Sequence, residues 1–183
     1  VLVANVEHAQ SEISSLAARL GGDCEREIAT AADALAAIGG REACAILAAA
    51  LLSRSTKDFS RLAAAMALGE AGGQEHLGAF VAVLREHEFG TLHTGVLFAM
   101  THLDCSEEVP LLCEFVVSGE RAAVDHAIQA MQELDPLGFV CAADLARARA
   151  ILDAGVPHEE WRTRAITIAQ RLVRRASKRV VLH

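Results

Sequence analysis

The chain has 183 residues, 52% of them apolar but only 4% aromatic, with no Tyr and three prolines. That length can bury a real core, and a hydrophobicity drawn from Ala and Leu suits close helix packing rather than a sheet of β-branched and aromatic residues. The net charge of −7 hides an asymmetry: all 24 acids lie in residues 1–160 against ten Lys/Arg, whereas residues 161–183 carry seven Lys/Arg and no acid. A body of −14 without a basic stripe argues against a nucleic-acid role for the whole domain. No apolar run approaches the roughly 18 residues of a membrane span, and the apolar run at Leu47–Leu52 is flanked by Arg41, Arg54 and Lys57.

Helical periodicity predicts a capping helix near residues 4–20, within an N-terminal segment 1–24. Helices are then expected over 25–38, 42–53, 59–71, 75–86, 91–103, 107–117, 121–134 and 138–153, and a last one over 158–178. Four of them carry the same dipeptide late in their length. Ala34-Leu35, Ala67-Leu68, Ala99-Met100 and Ala130-Met131 recur at intervals of 33, 32 and 31 residues. A fixed period near 32 residues means stacked two-helix units, none able to bury its apolar face alone. The turns align as well: Ala37-Ile38-Gly39-Gly40-Arg41-Glu42 matches Glu70-Ala71-Gly72-Gly73-Gln74-Glu75. Their glycines fit a left-handed helix end, Asp104-Cys105-Ser106-Glu107 offers an N-cap followed by acid, and Asp135-Pro136 places Pro near a helix start. Four clear repeats thus occupy 25–135, followed by a divergent repeat and a basic helix in 136–183. Together they form one all-α domain over 1–183.

The best copy of the repeat reads Asp58-Phe59-Ser60-Arg61-Leu62-Ala63-Ala64-Ala65-Met66-Ala67-Leu68-Gly69-Glu70-Ala71-Gly72. An Asp, an Arg three residues on, an Ala-rich run and Ala-Leu-Gly before a Gly turn resemble the HEAT-like repeats of the phycobilin-lyase type. The resemblance implies a right-handed α-solenoid of four to five helical hairpins with helical caps. Such repeats serve scaffolds, inhibitors, lyases and a few enzymes. The third and fourth units depart from the pattern, with His93 and Val124 at the place of Arg61.

Winding each second helix at about 100° per residue separates two columns. The core columns are Ile28/Ala31/Leu35, Arg61/Ala64/Leu68, His93/Val96/Met100 and Val124/Ala127/Met131. The outer columns are Arg26/Thr30/Asp33, Phe59/Ala63/Met66/Glu70, Thr91/Gly95/Phe98/His102 and His126/Gln129/Glu133. Units one and four are polar outside. Units two and three put Phe59, Met66 and Phe98 there, with Leu62 beside them, which reads either as an apolar face for a partner or as packing between repeats. In the basic tail, Trp161, Ala165, Ile168, Leu172 and Ala176 share one helical face. They describe a capping helix or, alternatively, an arm for nucleic acid or anionic lipid.

Chemistry-bearing patterns are few. His87-Glu88 and His158-Glu159 resemble the His-Glu pairs with which the HEAT-like deoxyhypusine hydroxylases hold two irons, but those enzymes carry four such pairs and this chain two. His93, His102 and His126 are candidates to converge. No Ser-His-Asp order, phosphate-binding Gly loop or HExxH occurs. The five cysteines form no CxxC, and most sit at apolar positions, which points to reduced thiols in a cytoplasmic protein. No leader pattern opens the chain; it starts with Val, so a processed start stays open.

The expectation is a non-catalytic scaffold or adaptor that binds a protein or peptide on its concave second-helix face, with no cofactor and no catalytic residues, through Phe59, Arg61, Leu62, Met66, Glu70, His93, Phe98 and His102. The acidic body suits a basic partner, as in inhibitors of the immunity type. The alternative is a metal-dependent or cofactor-handling enzyme, with His87, Glu88, His158 and Glu159 as weak metal candidates.

Overall fold

Helix α2 (Glu25–Ile38) illustrates how local pattern becomes packing. Ile28, Ala31, Ala32 and Leu35 are buried while Arg26, Thr30 and Asp33 are exposed, so one stripe three and four residues apart faces the core. The helix ends at Gly39, whose φ of 64° and ψ of −162° belong to a region essentially reserved for Gly, with its N–H on the Leu35 carbonyl at 3.0 Å.

The computed structural model describes residues 2–86, 90–134, 141–157 and 159–180, with side chains described between residues 10 and 177. Among the described residues every regular element is helical, as the all-α class requires. Two compact units divide the chain at Glu88 and Phe89. In the first, α1 (Leu2–Leu20) packs on α2 and α3 (Gly40–Leu52). There α2 packs on α4 (Asp58–Glu70), and α3 on α4 and α5 (Leu77–Leu84). In the second, α6 (Thr91–Met100) packs on α8 (Arg121–Glu133), and α7 (Val109–Ser118) on α8 and α9 (Ala142–Ala154). The last helix, α10 (Glu160–Val180), covers α7, α8 and α9. In each unit, then, helices two apart in chain order lie against each other.

All four core columns are buried, Arg61 and His93 included. Fully enclosed Leu35, Leu47, Leu51, Leu68 and Phe80 centre the first unit, and Leu97, Met100, Leu112 and Leu152 the second. Each contributes about 1.5–3 kcal/mol by leaving water.

The expected helices are all present, with shifted ends: α3 begins at Gly40 rather than 42, α5 ends at Leu84 rather than 86, and α9 begins at Ala142 rather than 138. A 3-10 turn, Gln74–His76, precedes α5, and another, Ser106–Glu108, precedes α7, so both helices begin two residues late. Tight turns cause this. After α4, the Gly72 N–H meets the Gly69 carbonyl and the Gly73 N–H the Leu68 carbonyl, both at 3.1 Å, around a Gly72 φ of 70°. That is the Schellman pattern. Before α7, the Asp104 carboxylate accepts the Ser106 N–H at 3.0 Å, which realises the expected cap one turn ahead of the helix proper. Helix α6 stops at Met100 instead of 103, where the Thr101 hydroxyl donates to the Phe98 carbonyl at 2.7 Å. Pro136 lies outside the described residues.

The face of α10 differs from the expected one. Ala165, Ile166, Ala169 and Val173 are buried, whereas Ile168 is 38% exposed and Trp161, Leu172 and Ala176 are half-buried. The apolar arc of this helix is wider than one stripe, and its contact with α7–α9 selects the side centred on Ala169.

Candidate partner-binding face

Arg61 is the residue whose setting departs most from an exposed binding group. It sits in the α4 core column, 5% exposed. Its Nε donates to the Leu51 carbonyl at 2.9 Å, near the C-terminal end of α3. Its two terminal nitrogens donate to the Glu86 carboxylate at 3.1 and 2.7 Å, and the exposed Arg54 lies 3.5 Å from the same carboxylate. The hydrogen bonds from Arg61 hold the Glu86 carboxyl below its ordinary range, and Arg54 adds to the effect. A guanidinium so engaged ties α4 to α3 and to the chain just past α5. It has no exposed donor to offer a partner. Glu86 is the residue that sequence reading missed; an Arg inside an apolar column was the signal that an acid had to meet it.

His93 is likewise internal. It is 3% exposed in α6, with its ring 6.2 Å from that of Phe115 on α7. His102 and His126 behave differently. Phe98, half-buried on the outer column of α6, receives His102 edge-on at 5.9 Å and 87°, and His126 of α8 at 5.1 Å and 71°. These are favourable edge-to-face geometries. Of the three candidate histidines, two therefore converge and the third turns inward. Nδ1 of His126 is buried and has no hydrogen-bond partner among the described residues. Beside it on α8, Asp125, Gln129 and Glu133 are exposed.

In the first unit, Phe59, Leu62 and Met66 are half-buried along α4, and Glu70 is exposed at its end. None of the three apolar side chains is enclosed, and none stands fully in water.

Of the metal candidates, His87, Glu88 and His158 lie outside the described residues. Glu159 is exposed and stands 3.9 Å from Arg162. Among the described residues no group of three or more His, Cys, Asp or Glu is arranged to hold a metal ion. Cys44, Cys105 and Cys113 are buried, and burial pushes the thiols of Cys105 and Cys113 up to about 12. Cys24 and Cys141 are exposed. No described helix is long and apolar enough to cross a membrane.

The chain matches no protein-family model and no curated protein in sequence.

Proposed function

We propose that the protein is a non-catalytic adaptor of HEAT-like hairpins, built as a right-handed α-solenoid, whose outer second-helix columns bind a basic protein or peptide. The packing of helices two apart within each unit, the repeated Gly turns and the 32-residue register support the solenoid reading. The observation that carries the binding reading is the Phe98, His102 and His126 cluster. It keeps an aromatic ring and two imidazoles at a surface, next to Asp125 and Glu133, where a well-packed polar face would do for solubility. Half-buried aromatics are typical anchors of interfaces, and neighbouring carboxylates favour a cationic partner by steering it. Phe59, Leu62 and Met66, with Glu70 at the helix end, supply the same combination on α4.

The test compares wild-type protein with Phe98→Ala, His126→Ala and Met66→Ser in pull-downs from the native host, with the melting temperature of each variant measured in parallel. A protein retained by the wild type and lost from folded variants is the expected result. Identical retention by all four proteins, or unfolding of each variant, would remove the binding reading and leave these residues as packing.

A further inference from the structure

We draw no further inference here: the strongest candidate, the polar cleft between α9 and α10 lined by Arg149, Leu152, Asp153, Gln170, Val173 and Arg174, holds an acid beside its two arginines, with Asp153 accepting from the Gln170 amide at 3.1 Å and Arg149 donating to the Ser177 hydroxyl at 3.0 Å, so nothing in it points to an outside ligand.

Discussion

Arg61 and Glu86 set the terms at the scale of single residues. Arg61 is buried but Glu86 only partly so, and Arg54 stays beside the carboxylate when Arg61 is removed. Arg61→Met should therefore cost about 1–3 kcal/mol in urea unfolding, less than a fully buried pair, and Arg61→Met with Glu86→Met well under half of that. Equal losses in the single and double variants would show that the pair does not act as one. The pH dependence follows from the same contact. Because Arg61 depresses the folded-state value of Glu86, the contribution is fully present above the ordinary carboxylate value near 4.5 and is lost as pH falls through the lower folded value. Glu86→Gln should flatten that acid limb of the stability curve.

His126 separates function from packing in a different way. Its buried Nδ1 has no partner among the described residues, so His126→Leu removes a desolvated polar atom and keeps the contact with Phe98. Thermal unfolding of that variant should be unchanged or shifted upward, and partner retention should fall. A clear drop in stability would mark His126 as a structural residue. The cysteines allow a third check. Cys24 and Cys141 are exposed while Cys44, Cys105 and Cys113 are buried, so a thiol reagent should label two of five sites quickly in native protein. Labelling of the other three should wait for unfolding.

For whole helices, the turns were the most legible part of the sequence. Paired glycines thirty-three residues apart announced helix ends that need Gly: Gly39, Gly40 and Gly72 have positive φ, with Gly39 extended in ψ rather than left-handed helical, whereas Gly73, at φ −69°, does not. Gly39→Ala, forced into a region that excludes a Cβ, should cost about 1–3 kcal/mol by the same unfolding measurement. A neutral result would mean that the α2–α3 turn relaxes into another form. The core columns were readable for the same local reason: a three-and-four spacing needs no knowledge of the neighbours. The face of α10 was not readable, because Trp161, Ile166, Ile168, Ala169, Leu172 and Val173 make an apolar arc wider than one stripe. Which part is buried is decided by α7–α9, and that choice is tertiary. Glu86 was hidden by distance, twenty-five residues beyond the arginine it meets. The half-burial of Phe59, Met66 and Phe98 was also beyond reach, since outer-column position fixes a direction but not what covers it.

For the whole molecule, two compact all-helical units carry one repeated register and opposite charges in body and tail. The units differ in what their outer columns carry. The second holds the convergent Phe98, His102 and His126 group, while α4 in the first holds a simpler apolar row. The proposed adaptor role stands or falls on whether those columns meet a partner. The most direct measurement places the photo-crosslinker p-benzoylphenylalanine at position 98, at position 66, and at the exposed control Glu114 of α7. Irradiation in the native host should give one shared basic protein as an adduct at 98 and 66 and none at 114. Adducts of the same kind at all three positions, or none at 98 and 66, would contradict a partner-binding face.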